Sequence, residues 1–135
     1  MKALYKAVMV VLENGVKLAG GIHWGRAKET SPLPYIVVTG LPSLSLVVST
    51  SEQGIENRGV RFSVFAKTAQ TCYEILASIE KLFVGRVLVL TSGKCMDCVK
   101  GSDDCSIDPD KTEEGEDVWH GVLDIDFTVQ RGPGE

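Results

Sequence analysis

Residues 58–83 read RGVRFSVFAKTAQTCYEILASIEKLF, and two different periodicities meet inside this one stretch. In residues 58–67 polar and apolar residues alternate, which is typical of a half-buried β-strand, and the apolar face carries Val60, Phe62, Val64 and Ala66. In residues 69–83 the apolar residues recur at helical spacing instead. Thr68 can cap the start of that helix, and Gly85 can end it. The stretch therefore predicts a strand that passes directly into an amphipathic helix.

The remaining segments add one more helix and several more strands. Residues 3–14 carry one apolar helical stripe, formed by Leu4, Val8, Val11 and Leu12. Strand-like composition recurs in residues 22–24, 35–39, 44–50, 86–91 and 118–131, whereas residues 52–57 are polar and predict a loop. These elements predict a single α+β domain over residues 1–135, in which two helices pack on one face of a mainly antiparallel sheet of about five strands. Residues 132–135 are expected to be a frayed tail.

The composition limits the classes of function. The net charge of −4 argues against a general nucleic-acid binder, because binding to phosphates requires a basic surface. No stretch approaches the roughly 20 apolar residues of a membrane span. The apolar run in residues 3–12 is interpreted as a helix of the mature protein and not as a signal peptide, since Glu13 follows it directly. We therefore expect a cytoplasmic location.

Residues 91–117 form the most unusual segment of the chain. They hold nine acidic and three basic residues, a net charge of −6 against −4 for the whole chain, so the acidity is local. The segment shows no periodicity, and such composition buries too little apolar surface to offset the entropy of ordering. We expect a mobile loop that functions only in assembly, so that deletion of residues 95–113 would leave the melting temperature nearly unchanged.

Three of the four cysteines lie in this acidic segment. Cys95 and Cys98 form a CxxC pair, and Cys105 follows. Zinc takes about four ligands, so a site of these three thiolates completed by His120 or an aspartate is one hypothesis. It would make the protein a small cytoplasmic zinc-binding or redox adaptor. Reduced thiols in a solvated loop, or an adventitious Cys95–Cys98 disulfide, are the alternatives. Because the pattern is incomplete, we assign no metal ligand.

No catalytic constellation is apparent either. Asp124 and Asp126 share one face of the last predicted strand, where carboxylates more often form a solvated or interface surface than an acid–base pair. His23 and His120 are far apart in sequence, and neither a Gly-x-Ser-x-Gly nor a Gly-x-Gly-x-x-Gly motif occurs. Cys72 lies on the apolar stripe of the second helix and is interpreted as a core residue. The chain is therefore not expected to be an enzyme, and we assign no catalytic or cofactor-binding residue.

The order of these elements resembles the tail-terminator, or tail-completion, proteins of long-tailed phages and prophages. The resemblance begins with the short helix of residues 3–14 and the strand start Pro34-Tyr35-Ile36-Val37-Val38. It continues with the V-x-F-x-V-x-A strand of residues 60–66, the helix of residues 69–83 and the closing strand GVLDIDF of residues 121–127. The acidic segment departs from the family pattern, so the resemblance implies no role for it.

The resemblance implies a structural function without catalysis. Copies of the chain would form a closed ring, expected to be hexameric, on the last ring of the tail tube. The ring would end tail polymerisation and offer a head–tail joining surface. The implied partners are further copies of the chain, the major tail-tube protein and a head–tail connector protein, with no small-molecule substrate, membrane or specific nucleic-acid sequence. The implied location is the host bacterial cytoplasm during assembly and then the virion tail.

Overall fold

A computed structural model of the chain describes residues 2–26, 32–41, 55–90, 94–107 and 118–130. These residues form two helices and five strands, in the order α1 (Lys2–Gly15), β1 (Ile22–Trp24), β2 (Tyr35–Gly40), β3 (Ile55–Ala66), α2 (Ala69–Phe83), β4 (Lys94–Ile107) and β5 (Trp119–Gln130). The described strands form one sheet in the order β1-β2-β3-β5-β4, in which the β1–β2 pair is parallel and the other three pairs are antiparallel. The predicted α+β fold is therefore confirmed.

Both helices pack on the same face of this sheet. The register places Val38, Phe62 and Leu123 side by side on β2, β3 and β5, and all three are buried. The apolar stripes of the two helices join the same core through Leu4, Val8, Leu12, Cys72, Ile75, Leu76, Ile79 and Phe83. Because burial of one large aliphatic or aromatic side chain contributes about 1.5–3 kcal/mol, this shared core is the main stabilising feature of the fold.

The boundaries of α2 follow from its caps. The Thr68 side chain accepts a hydrogen bond of 3.2 Å from the Thr71 amide, as expected for an N-cap. At the other end, Val84 N donates to Glu80 O at 2.9 Å, and Gly85 then takes a φ of +77°, which glycine adopts without steric cost. The predicted passage from strand to capped helix to glycine stop is confirmed.

The prediction of an acidic mobile loop is wrong for residues 94–107. These residues form β4, which pairs antiparallel with β5 from Lys94 opposite Gln130 to Ile107 opposite Trp119. Two register shifts, at Cys95/Asp97 and Lys100/Ser102, break the alternation that would have revealed the strand. Charged residues are also ordinary on a strand at the edge of a sheet. Deletion of residues 95–113 would therefore remove a sheet strand and would not leave stability unchanged.

Three further predictions had different outcomes. Residues 86–90 belong to neither a helix nor a strand and have no strand partner in the described part of the chain, so the strand predicted at 86–91 is wrong for them. Residues 55–57 belong to β3 and not to a loop. The strand predicted at 44–50, the frayed tail at 132–135 and the segments 91–93 and 108–117 lie outside the described residues.

Neither described helix combines the length and the apolar character that a membrane crossing requires.

Candidate functional surfaces

Cys95 and Cys98 form a buried pair on the helix-facing side of β4. Two residues three apart on a regular strand point to opposite faces, but the register shift between Cys95 and Asp97 brings both sulfur atoms to the same side. The two Sγ atoms lie 3.6 Å apart, and the residues are only 2% and 1% exposed. They are not joined by a disulfide. This pair is therefore part of the core between β4 and α2.

The register excludes the zinc site that the sequence suggested. Cys98 lies opposite Phe127 on β5, whereas Cys105 lies opposite Gly121, six residues further along. At the usual rise of a strand, this separation is about 20 Å, far too long for shared coordination of one metal ion. His120 and Gly121 are adjacent residues of β5, and adjacent residues of a strand point to opposite faces of the sheet. The His120 side chain therefore projects from the face opposite to that of Gly121. The hypothesis of a site formed by Cys95, Cys98, Cys105 and His120 is therefore wrong, and no cluster of three or more potential ligands occurs within the described ranges.

Cys105 instead approaches Cys72 on α2. Burial, and then a hydrogen bond with Cys105, raise the pKa of the Cys72 thiol to about 12. The close approach of α2 to β5 at this point is possible because position 121 is glycine: a Cβ there would lie 2.5 Å from the sulfur of Cys72. The interpretation of Cys72 as a small core residue is confirmed by its complete burial.

A short alkylation pulse with iodoacetamide at neutral pH is expected to leave Cys72 almost unmodified in the folded protein. Burial keeps the reagent away, and the raised pKa keeps the thiol protonated, whereas the thiolate is the nucleophile. Mass spectrometry of the peptide that contains Cys72 measures the modified fraction. The same pulse in concentrated urea is the control and should modify Cys72 readily. Equal modification in both states would contradict the buried position.

The open face of the sheet, opposite the helices, carries the two aspartates considered above. Arg61 Nε and Nη2 donate to the two carboxylate oxygens of Asp124 at 2.8 and 3.0 Å, and this hydrogen bonding raises the pKa of Arg61. Asp126 is exposed on the same face. Asp124 thus forms a bidentate ion pair with Arg61 that links β3 and β5. This arrangement fits a surface role of Asp124 better than a role in proton transfer. Since the Arg61 side chain is 44% exposed, the pair contributes at most about 1 kcal/mol.

Four aromatic rings cross this open face in a row. The ring centroids of His120 and Phe65 are 4.4 Å apart, those of Phe65 and Tyr35 4.9 Å, and those of Tyr35 and His23 6.1 Å. The two histidines therefore lie at opposite ends of the row and do not share a site. Sequence inspection missed the row because it depends on the register that places Phe65 opposite both Tyr35 and His120.

The helical side carries an apolar groove of about 530 Å³ between α1 and the segment that follows α2. Its lining is formed by Ala3, Lys6, Ala7, Val10, Val11, Leu82, Arg86, Val87, Leu88 and Val89. Val10, Val87 and Val89 are 52%, 66% and 92% exposed, which is unusual for valine. Lys6 and Arg86 are the charged residues of this lining, and both are basic. The groove is an exposed apolar surface of the described chain. Sequence inspection missed it because residues 86–91 were expected to lie inside the sheet.

This chain is similar to known proteins in its fold, whereas the similarity in sequence is low. No family model matches the chain, and no curated protein matches it significantly. Among solved structures, a chain from the virion of a native gene transfer agent particle aligns with a TM-score of 0.58 at 14% identity, over 96% of this chain and 92% of that one. The structure of the bacteriophage SPP1 gp17 protein aligns with a TM-score of 0.55 at 22% identity, over 98% of this chain and 93% of that one. At these identities the similarity shows a shared fold.

Proposed function

We propose that this chain is a structural protein of a phage-type particle, and specifically a tail terminator. Copies of the chain form a closed ring, expected to be hexameric, at the head-proximal end of the tail tube. The ring ends tube polymerisation and offers the surface to which the head connector binds. The protein assembles in the cytoplasm of the host bacterium, becomes part of the virion tail, and catalyses no reaction.

One observation carries this proposal: the fold matches proteins of a gene transfer agent virion and of a bacteriophage over almost the whole length of each chain. Fold alone does not determine function, so the sequence pattern adds independent support. That pattern, with its order of helix, Pro-Tyr strand, strand–helix unit and closing strand, resembles tail terminators.

The chemistry of the described surfaces agrees with a structural role. The buried thiols lie in the core, Asp124 is engaged with Arg61, and the two histidines are at opposite ends of an aromatic row. What the chain offers to a partner is an exposed apolar groove and a charged sheet edge. These are features of protein–protein recognition, in which an apolar centre and a polar rim act together.

The direct test mixes the purified chain with tail tubes assembled from the tail-tube protein of the same particle. Negative-stain microscopy should show additional density at one end of each tube, and tubes so treated should stop growing when more tube protein is added. Tubes mixed with buffer alone serve as the control and should continue to lengthen. Unimpaired growth, or binding along the sides of the tubes in place of the ends, would contradict the proposal.

A further inference from the structure

The four cysteines of the chain form two pairs, and both pairs lie between β4 and α2. Cys95 and Cys98 are the buried pair described above, and Cys72 on α2 lies beside Cys105 on β4. All four carry free thiols, but they differ in access: three are at most 2% exposed, whereas Cys105 is only partly buried. A dissolved reagent therefore reaches Cys105 more readily than the other three.

The position of Cys105 relative to Cys72 follows from their common neighbour, Gly121. A Cβ at position 121 would lie 2.5 Å from Cys72 Sγ, so this sulfur occupies the space directly above Gly121. Cys105 lies opposite Gly121 in the β4–β5 ladder, and the Cβ positions of opposite residues are about 4.5–5.5 Å apart on the same face of a sheet. Cys105 and the sulfur of Cys72 are therefore neighbours across the contact between β4 and α2.

Two further observations agree with this placement. Cys105 packs against the core cluster that contains Cys72. The next residue of α2, Tyr73, is also close to Cys105, since interaction with the Cys105 thiolate raises the pKa of the Tyr73 hydroxyl. A disulfide requires its two Cα atoms to lie within roughly 7 Å of each other. Gly121 favours such an approach because it adds no side chain between α2 and the sheet.

We propose that Cys72 and Cys105 form a redox site that reacts with a low-molecular-weight disulfide, such as oxidised glutathione, and closes to an intrachain disulfide. The Cys105 thiolate attacks one sulfur of oxidised glutathione, whose S–S bond breaks and releases one glutathione. The Cys72 thiolate then attacks the Cys105 sulfur of the mixed disulfide and releases the second glutathione. The two protein thiols are oxidised, the glutathione disulfide is reduced, and the two thiol protons end on the two glutathione molecules.

The order of the two steps follows from the difference between the two thiols. Cys105 is the thiol that the reagent can reach, so the mixed disulfide forms there. Cys72 is the slower, second nucleophile, because burial raises its pKa to about 12 and only the thiolate attacks. Formation of a protein disulfide takes seconds to hours. A thiol that resists a short alkylation pulse can therefore still react during a long incubation.

The disulfide would connect α2 to β4, the outermost strand on one side of the described sheet. Gly85 N, just after α2, donates to Cys98 O at 3.1 Å, so the C-terminal end of the helix is already held against β4. Cys72 lies in the first half of α2, and the new bond would fix that half as well. Thiols stay reduced in the cytoplasm, so the site would be open during assembly and closed after release of the particle. Only this timing rests on the proposed function.

Peptide mapping after oxidation identifies the pairing. The reduced protein is incubated overnight with oxidised glutathione at mildly alkaline pH, quenched with iodoacetamide in concentrated urea, and digested with trypsin. Cleavage after lysine places Cys72 in residues 68–81, Cys105 in residues 101–111, and Cys95 with Cys98 in residues 95–100. Mass spectrometry should find the first two peptides joined, and the third with both thiols alkylated. On a non-reducing gel the protein should remain a monomer, because the bond is intrachain.

The bond should also stabilise the fold. The melting temperature of the oxidised protein should rise by on the order of 10 °C, because the cross-link restricts the unfolded chain, and dithiothreitol should reverse the rise. Cys105→Ser, at a partly exposed position, should abolish both the joined peptides and the rise. Ser106→Ala is the matched control, since it changes an exposed neighbour and keeps all four thiols. It should behave like the wild type.

The outcomes separate this inference from the proposed function. Recovery of Cys72 and Cys105 on separate peptides, a disulfide within residues 95–100 without the joined pair, or a disulfide-linked dimer would each overturn the inference. If the wild type caps tail tubes but the joined peptides do not form, the inference is wrong while the terminator function stands. If the joined peptides form but the chain does not cap tubes, the terminator function is wrong while the inference stands.

Discussion

Replacement of Phe127 by alanine is expected to lower the free energy of unfolding by about 3–5 kcal/mol, the usual range for truncation of a buried phenylalanine. Phe127 is completely buried on β5, between β3 and β4, and its ring lies edge-on to that of Phe83 with centroids 5.9 Å apart. It therefore joins the central strand of the β3-β5-β4 group to α2. Truncation would leave a cavity among residues held by three strands and a helix, which have little freedom to collapse into it.

Urea denaturation followed by circular dichroism measures this loss. Asp126→Ala is the matched control, because Asp126 is the neighbouring residue on the same strand and is exposed on the opposite face. That control should change stability by no more than about 0.5 kcal/mol. A loss below about 1 kcal/mol for Phe127→Ala would show that the register of β5 is wrong.

Leu123, Ile125 and Phe127 are all buried on β5, which confirms the strand predicted at residues 118–131. β5 has strand neighbours on both sides and one face covered by α2, so its helix-facing positions are apolar and its other positions are mostly polar. The alternation of apolar and polar residues along β5 can then be recognised from the sequence alone, without knowledge of the neighbouring strands. The same argument explains why β3 and α2 were predicted at nearly their observed boundaries.

β4 and residues 86–90 show where local reasoning fails. β4 is an edge strand with two register shifts and many charges, so its sequence looks like a loop although twelve of its residues pair with β5. Residues 86–90 have high strand propensity, but strand formation requires a neighbour, and propensity alone does not supply one. The cysteine hypothesis failed for the same reason: only the register shows that Cys98 and Cys105 are far apart.

Gly121→Ala is expected to destabilise the protein by about 1–3 kcal/mol through overpacking. A Cβ at this position would lie 2.5 Å from Cys72 Sγ and 2.8 Å from Leu76 Cδ1, both on α2. In most strand positions the same change stabilises by about 0.4–1 kcal/mol, because alanine has less conformational freedom in the unfolded chain. Here the clash should exceed that gain, since α2 would have to move away from β5 at a point where both are buried. Urea denaturation again provides the measurement.

The double variant Gly121→Ala/Cys72→Ala tests the cause of that loss. Cys72→Ala removes the sulfur atom, so the new methyl group on β5 can occupy part of the space that the sulfur leaves. The two substitutions should therefore be non-additive, and the double variant should be more stable than the sum of the single losses by about 0.5–3 kcal/mol. Strict additivity would mean that α2 does not approach β5 at Gly121 as described, and the contact between Cys72 and Cys105 would then be in doubt as well. A positive coupling would establish that the absence of a side chain at position 121 lets α2 lie directly on the central strands.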